Sequence, residues 1–471
     1  MSLRVQIVFV GEPFDRDAVI HTLRHLAMRG GWQLTLNGNA DRRIIYATTD
    51  DASWMPARPG DVVILSSRSV ADHLRNSREP IPCHRLNGTW LPFPHHLQNR
   101  DWICADVIAG AFAALNLWYE ERTRTSKRDG WILWRDDWMA RAGLAEPVAL
   151  ADEWLNEIVH VTKRLGWEET APQTKFTVVL THDVDHLPGA RDHGLPRLLR
   201  AIVRQFVLRR RPVDAARLLV HYVRVASSQP NFAFESVMRA EHLSGARSSF
   251  QFVAARQHRF DPDYAIGREP VASALRKIAA SDWEICLHGS YTASRTPGAL
   301  DRERAALERT MGATVLGQRQ HYLNFHPSQL FDEVERAGLS YDTSVGYNDI
   351  SGARAGTYFP YRPFNLATGR AHSFWEIPFV LMDTTLATTC RFSPAQALEH
   401  SQAILARVAQ ARGCVAIIWH LEQLSGLVDP GFDRSYYDLL DWIRAQGGAM
   451  VTGRAMLPDL DARWRLTLCD E

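Results

Sequence analysis

Two aspartates directly follow an apolar run, at a spacing that suits acid–base or metal chemistry. The run is Phe176–Leu180, and the next residues read THDVDH, which places Asp183 and Asp185 two positions apart. If the strand continues, both carboxylates point to the same side, and like charges this close need a cation or an arginine between them. Taken alone, such a pair is also typical of a calcium-binding or turn-capping loop.

Three later segments each contain an imidazole. His288 ends the run Glu284–His288, His420 ends Val415–His420, and Arg319 and His321 lie two positions apart before a helix-like stretch. A single histidine after an apolar run is more often structural than a ligand. Together with the aspartates, however, the set indicates a metal site, because zinc prefers imidazole and carboxylate ligands and a catalytic zinc needs three of them.

The elements that must position these residues alternate between strands and helices. From residue 176 onward, strand-like runs occur at Phe176–Leu180, Ser248–Val253, Glu284–His288, Leu339–Asp342 and Val415–His420. This alternation predicts a parallel β/α architecture, in which functional groups lie at the carboxyl ends of the strands. Most of the candidate residues fall at such ends, so we expect them to meet.

The first third of the chain predicts a smaller α/β layer. Strands are expected at Val5–Val10, Ile44–Thr48 and Val62–Ser66, and helices at Asp15–Met28, 67–78 and Ala105–Glu121. An irregular stretch between Glu120 and Lys163 contains Trp131, Trp134, Trp138 and Trp154, and we expect it to pack across a domain boundary. The sequence therefore predicts an α/β protein with an accessory domain over 1–172 and a second domain over 173–471.

Composition excludes several classes of protein. The 471 residues carry 54 Lys+Arg against 53 Asp+Glu, so the chain lacks the positive field that attracts phosphates, and we expect no nucleic-acid partner. The six cysteines show no CxxC pair, which argues against a disulfide scaffold or a cysteine zinc site. Neither a signal-peptide pattern nor a run of about 18 apolar residues is visible, so the sequence predicts a cytoplasmic protein.

In order and chemistry, the segments resemble the motif series of NodB-type polysaccharide deacetylases, carbohydrate esterase family 4. The series consists of Asp-x-Asp after a strand, Glu-x-x-x-His, Arg-x-x-Tyr and an apolar strand ending in His, between Phe176 and Leu457. The stretches THDVDH, LHGSY, RQHY, YDTSVGYNDISGARAGTYFPYRP and PFVLMDTTL more closely resemble a bacterial subgroup with an N-terminal accessory domain. The resemblance implies a distorted (β/α) barrel for the second domain.

The resemblance also implies roles for the residues at the motif positions. Asp183 would be the general base, Arg319 the residue that orients it, and His420 the general acid. The backbone N–H of Tyr322 would help to hold the oxyanion that forms during hydrolysis.

A site for Zn²⁺ or another divalent transition metal is implied as well, with Asp185 and His288 as ligands. The family has a second histidine four residues after the first, but here that position is Thr292, whose neutral hydroxyl is a poor zinc ligand. We expect His321 to take its place, with His186 as the alternative.

Two further features bear on partners. Aromatic rings stack on sugars, and the candidate substrate-binding residues near the motifs are Tyr291, Tyr347, Asn348, Asp349, Arg354 and Trp375. For any one of them, an ordinary ordered turn is an equal explanation. The stretch 195–225 holds eight arginines against one acidic residue, Asp214, which allows peripheral contact with an anionic membrane as well as a solvated helix face or a dimer contact.

The resemblance and the residues together predict a metal-dependent carbohydrate N-deacetylase. Its substrate would be an N-acetylated amino sugar in a surface polysaccharide or glycolipid precursor pathway. The alternatives are a catalytically silent glycan-binding protein on the same fold, and a hydrolase of a different bond, such as a deformylase or an O-acetyl esterase.

Overall fold

The chain folds around two parallel β-sheets. The computed structural model describes residues 3–38, 40–49, 57–86, 88–96, 102–123, 132–167, 174–187, 203, 234–424 and 429–468. Both sheets are covered by helices, which confirms the predicted α/β class.

The first sheet has four parallel strands in the order β2-β1-β3-β4. Its elements are β1 (Leu3–Val10), α1 (Arg16–Gly30), β2 (Trp32–Thr35), β3 (Arg42–Thr48), β4 (Val62–Ser66) and α2 (Arg68–Asn76). Helix α1 begins where the Asp15 carboxylate accepts the Ala18 N–H, and it ends at Gly31, whose φ of 70° is left-handed. All five residues of β4 are buried, as the apolar run predicts.

In the described parts of the connection between the two sheets lie a hairpin and four α-helices: β5 (Cys83–Leu86), β6 (Thr89–Pro92), α3 (Val107–Leu115), α4 (Trp118–Thr123), α5 (Trp138–Arg141) and α6 (Leu150–Arg164). The single helix expected over Ala105–Glu121 is wrong, because Leu117 adopts a left-handed φ of 50° and divides it into α3 and α4. Within the Trp-rich stretch, the Trp134 N–H donates to the Asp349 carboxylate, which lies far along the chain.

The second sheet has nine parallel strands, in the order β14-β11-β10-β9-β8-β7-β16-β15 with β17 beside β7. Its strands are β7 (Thr177–Val184), β8 (Ser249–Phe252), β9 (Glu284–Gly289), β10 (Gly317–Gln320), β11 (Tyr341–Asp342), β14 (Trp375–Glu376), β15 (Phe379–Met382), β16 (Cys414–Ile418) and β17 (Ala449–Val451). A separate antiparallel hairpin pairs β12 (Phe364–Asn365) with β13 (Arg370–Ala371). The helices among the described residues from 174 onward are α7 (Phe234–Leu243), α8 (Val271–Ala279), α9 (Ala299–Met311), α10 (Pro327–Arg336), α11 (Pro394–Gln410), α12 (Leu421–Leu424), α13 (Phe432–Ala445) and α14 (Gly453–Arg465).

The second sheet curls on itself because its two end strands are consecutive in the chain. Only Ile377 and Pro378 separate β14 from β15, and the Ile377 N–H donates to the Asp342 carbonyl of β11. The chain itself therefore joins the two edges, and the carboxyl ends of the strands surround one mouth.

The two sheets are joined through buried polar contacts. The ring of His21 on α1 contacts the Arg362 carbonyl at 2.8 Å, and Glu120 on α4 pairs with Arg354. Leu468 near the end of α14 forms a bridge to Leu34 of the first sheet. The predicted boundary at residue 172 falls within 168–173, outside the described residues, and so does nearly all of the arginine-rich stretch 195–225.

Among the described residues, none of the helices combines the length and the apolar character that a membrane span requires.

Candidate metal centre

Strand β7 positions the aspartate pair. The strand continues through Val184, further than the apolar run indicates, and successive side chains alternate between its two sides. His182 therefore points away from Asp183, and its ring contacts the Trp419 carbonyl and the Glu241 carboxylate, each at 2.7 Å. Asp183 and Asp185 face the mouth of the barrel together.

Three potential metal ligands converge at this mouth. Asp185, His288 and His321 offer ligand atoms that all lie within 4.8 Å of one another. Asp185 Oδ1 lies 3.4 Å from both His288 Nε2 and His321 Nε2. Asp185 Oδ1 and His321 Nε2 are buried without a hydrogen-bond partner among the described residues. One carboxylate and two imidazoles, with buried atoms that face inward and lack partners, fit a divalent transition-metal cation such as zinc.

Each histidine presents Nε2 to the centre because its other ring nitrogen is engaged. His288 Nδ1 lies 2.9 Å from the Arg319 carbonyl, and His321 Nδ1 lies 3.3 Å from Asp261 Oδ1. A ring that donates from Nδ1 keeps its Nε2 lone pair free for a metal. The alternative ligand His186 is exposed and is not part of the cluster.

The remaining carboxylate, Asp183, is paired with an arginine. Arg319 Nη1 donates to Asp183 Oδ1 at 2.6 Å and to Thr181 Oγ1 at 2.8 Å, and Arg319 Nε donates to the Thr343 carbonyl. Burial alone would raise the pKa of Asp183, but the charges of Arg319 and His288 outweigh it and hold the pKa below its usual range. Asp183 is therefore an ionised carboxylate at neutral pH.

His420 lies on the other side of Asp185 and contacts a further aspartate, Asp383. Its Nδ1 lies 2.6 Å from Asp383 Oδ1, its backbone N–H donates to Asp383 Oδ2, and its Nε2 lies 3.8 Å from Asp185 Oδ2. Burial opposes protonation, yet Asp383 raises the pKa of His420 well above its usual value. The contact with Asp383 therefore favours the protonated ring.

The charged side chains of the centre hold one another ionised. Burial favours a neutral Asp185, but His321 and His288 hold its pKa well below the usual range. Burial likewise favours a neutral His321, but Asp185 raises its pKa to about 9. A cation bound here would replace the proton on His321, since an imidazole must be neutral to ligate.

Aromatic side chains line the mouth beside His321. Tyr322 has a left-handed φ of 58° and is 41% exposed, and its ring lies 5.3 Å from that of Phe260 and 5.8 Å from that of Tyr291. The side-chain amide of Asn348 donates to the Tyr322 carbonyl, which places the loop after β11 at the same rim.

Three of the expected substrate-binding residues are placed differently from the prediction. Arg354 is buried and pairs with Glu120, Tyr347 is buried against Trp134, and Trp375 is buried with its indole N–H on Asp461. Each fills a core position, so none of these side chains is open to a ligand.

The other three expected substrate-binding residues lie at the rim of the mouth or contact the segments that form it. Tyr291 is buried beneath Tyr322, Asn348 is half-buried at the rim, and half-buried Asp349 holds the Trp134 backbone.

Two carboxylates that contact the centre, Asp261 and Asp383, lie outside the motifs from which the site residues are predicted. Asp383 directly follows the apolar run of β15, and that position was a usable signal because functional groups follow strand ends. Asp261 lies in a loop after β8 and gives no such signal.

Comparisons with known proteins return only remote structural likenesses. No protein-family model matches the chain, and neither does any curated protein sequence. A putative polysaccharide deacetylase from Mycobacterium smegmatis is 16% identical, with a TM-score of 0.39, over 62% of this chain and 92% of that one. An allantoinase is 15% identical, with a TM-score of 0.40, over 61% and 91% of the two chains.

A further solved structure is a mutant of a CE4-family pseudoenzyme with restored enzymatic activity. It is 10% identical, with a TM-score of 0.30, over 60% of this chain and 68% of that one. Likenesses of this size do not identify a reaction, so the case for function rests on the geometry of the centre.

Proposed function

We propose that the protein is a metal-dependent amide hydrolase that removes the N-acetyl group from an amino sugar. The observation that carries the proposal is the arrangement of three groups at one mouth. A cluster of Asp185, His288 and His321 lies between Asp183, which is paired with Arg319, and His420, which is paired with Asp383.

Amide hydrolysis needs all three groups. An amide carbonyl is a weak electrophile and an amine is a poor leaving group, so the reaction requires an activated water, charge stabilisation at oxygen and a proton for nitrogen. A cation held by Asp185, His288 and His321 would supply Lewis acidity, lowering the pKa of water from about 15.7 toward 7 and polarising the carbonyl.

The protein's own residues would move the protons. Asp183, kept ionised by Arg319, would accept the proton of the attacking water. His420, kept protonated by Asp383, would donate a proton to the departing amine nitrogen. We assign the backbone N–H of Tyr322 to stabilisation of the oxyanion.

For the substrate we propose an N-acetylated saccharide in a surface polysaccharide or glycolipid precursor pathway. The exposed ring of Tyr322 beside the metal cluster supports a sugar, because aromatic faces pack against the apolar faces of pyranose rings.

We further propose that the protein works in the cytoplasm at the inner membrane surface through 195–225. Binding of the full-length chain to anionic vesicles at low salt, lost at high salt, is the expected result. Equal binding to neutral vesicles would contradict this part of the proposal.

The test of the function is acetate release from N-acetylated saccharides by the zinc-loaded protein. His321→Ala should lose zinc and activity together, whereas Thr292→Ala should retain both. Preference for O-acetyl or N-formyl substrates would favour the esterase or deformylase alternative. A wild-type protein that binds no metal under zinc-replete conditions would favour the silent glycan-binding protein.

A further inference from the structure

Asp261 is a buried carboxylate with an unusually complete set of donors. It lies in the loop between β8 and α8 and is only 3% exposed. Its Oδ1 accepts the Tyr291 N–H at 2.7 Å, and its Oδ2 accepts the N–H groups of Gln257 at 2.8 Å and His258 at 2.7 Å. Three backbone donors therefore fix both oxygens before any side chain contributes.

Among the described residues, this carboxylate also contacts the side chain of His321. Asp261 Oδ1 lies 3.3 Å from His321 Nδ1, on the side of the ring opposite to Nε2 and Asp185. Because a carboxylate oxygen without a proton can only accept, the hydrogen on this edge must belong to Nδ1. Asp261 thus selects the ring form whose Nε2 faces the metal cluster.

His321 needs such a partner more than His288 does. His288 belongs to strand β9, and its Nδ1 is held by the backbone carbonyl of Arg319 on the neighbouring strand. His321 instead follows the end of β10, at the start of a short turn in which Tyr322 and Leu323 have positive φ. A turn does not constrain a side chain as a strand pair does, so the ring orientation must come from a side-chain contact.

We infer that Asp261 is a positioning residue for His321, fixing its tautomer and ring orientation and thereby setting the metal affinity of the site. The inference rests on the metal cluster of the proposed function. It explains how His321, although it lies on a turn, can be the third metal ligand in place of Thr292. Second-sphere carboxylates of this kind typically contribute 10–100-fold to metal affinity.

The first test needs no variant. Nitrogen-15 NMR of the zinc-loaded wild-type protein, with labelled histidines, reports which ring nitrogen of His321 carries hydrogen and which binds metal. We expect hydrogen on Nδ1 and zinc on Nε2. Zinc on Nδ1, or hydrogen on Nε2, would overturn the inference.

The second test measures zinc affinity by competition with a chelating dye for Asp261→Asn and for a matched control, Asp263→Asn. Asp263 lies two residues away and pairs with Arg256, whose side chain is largely exposed. We expect Asp261→Asn to bind zinc 10–100-fold more weakly, with a changed absorption spectrum of the Co²⁺-loaded form, and Asp263→Asn to match wild type.

The outcomes separate this inference from the proposed function. If the wild-type protein binds zinc and Asp261→Asn binds it equally, only the role of Asp261 is wrong. If wild type binds no zinc, the proposed function fails first. If circular dichroism shows that Asp261→Asn is unfolded, the NMR result on the wild-type protein decides the role of Asp261.

Discussion

Asp183 and Asp185 lie two residues apart, yet their neighbours separate their chemistry. Asp183 is bound to a guanidinium that cannot be displaced easily, whereas the Oδ1 atom of Asp185 faces two imidazoles. We therefore expect Asp183→Asn to keep its metal and lose turnover, and Asp185→Asn to lose its metal. Metal analysis of the purified variants alongside acetate release makes the distinction. Equal metal loss in both variants would contradict the division of roles.

His420 provides a second prediction at the residue scale. His420→Ala should reduce the rate on amide substrates by about 10²–10⁴-fold, and less on esters with good leaving groups, which need less protonation. Equal losses on both substrates would indicate that His420 positions the substrate.

The pH dependence tests the contact between His420 and Asp383. Since Asp383 raises the pKa of His420, the acid form persists at neutral pH and activity should fall as pH rises past that raised pKa. Asp383→Asn removes the negative charge, so this alkaline limb of the kcat profile should move to lower pH. An unmoved limb would exclude His420 as the titrating acid.

At the scale of elements, the loop after β11 is held by the N-terminal part of the chain. Arg354 Nε donates to Glu120 Oε1 at 2.9 Å, Arg354 Nη1 donates to the Gly346 carbonyl, and both partners of the ion pair are buried. The same loop reaches the rim through Asn348. Helix α4 therefore helps to shape the mouth of the barrel, although it belongs to the connector between the sheets.

Glu120→Gln should consequently destabilise the protein by about 3–5 kcal/mol, because it leaves the Arg354 charge buried without its partner. The neighbouring Glu121, half-buried with its carboxylate on Ser328, is the control, and Glu121→Gln should cost no more than about 1 kcal/mol. Urea denaturation measures both. Similar losses of stability for the two variants would mean that the buried Glu120–Arg354 pair contributes no more than the half-buried contacts of Glu121.

The elements also show what sequence patterns can predict. Strands β4, β7, β9 and β16 coincide with apolar runs in the sequence. These strands are buried, and buried strands are rich in apolar residues, so the sequence pattern predicts them. Strand β10 has the sequence GQRQ and was not predicted as a strand, although all four residues are buried. Gln318 and Arg319 of this strand donate to partners far away in the sequence, Asp342 and Asp183, and no local pattern reveals such pairs.

The same reasoning explains the site. The strand-end residues could be named from the sequence because parallel strands bring their carboxyl ends together, and the structure does bring Asp185, His288 and His321 into one cluster. Asp261 could not be named, because its contact to His321 spans 60 positions and depends on how two loops fold. Arg354 and Trp375 are buried, and burial of an arginine or a tryptophan beside a motif cannot be read from its residue type.

At the scale of the whole molecule, the first sheet is joined to the barrel through a buried histidine pair. His21 and His25, one turn apart on α1, have their Nε2 atoms 3.3 Å from each other, and the His25 ring packs against Trp464 of α14. Burial lowers the pKa of His21 to about 3, and the nearby charges of Arg24 and Arg362 and the ring of His372 oppose its protonation further. The junction therefore requires neutral rings.

This requirement makes the junction sensitive to acid. In the unfolded chain a histidine titrates near pH 6.5. Between about pH 6.5 and 3, His21 is therefore protonated in the unfolded state and neutral in the folded state. The contribution of His21 is fully present above pH 6.5, and stability falls as pH decreases through that window, by on the order of 1 kcal/mol per pH unit.

In His21→Leu this part of the slope should disappear, even though loss of the contact to the Arg362 carbonyl lowers stability at every pH. Urea unfolding of wild type, His21→Leu and the exposed-site control His84→Leu between pH 4 and 8 measures the slopes. If His21→Leu keeps the wild-type slope, the acid sensitivity belongs to other groups and the two sheets are not coupled to pH through α1.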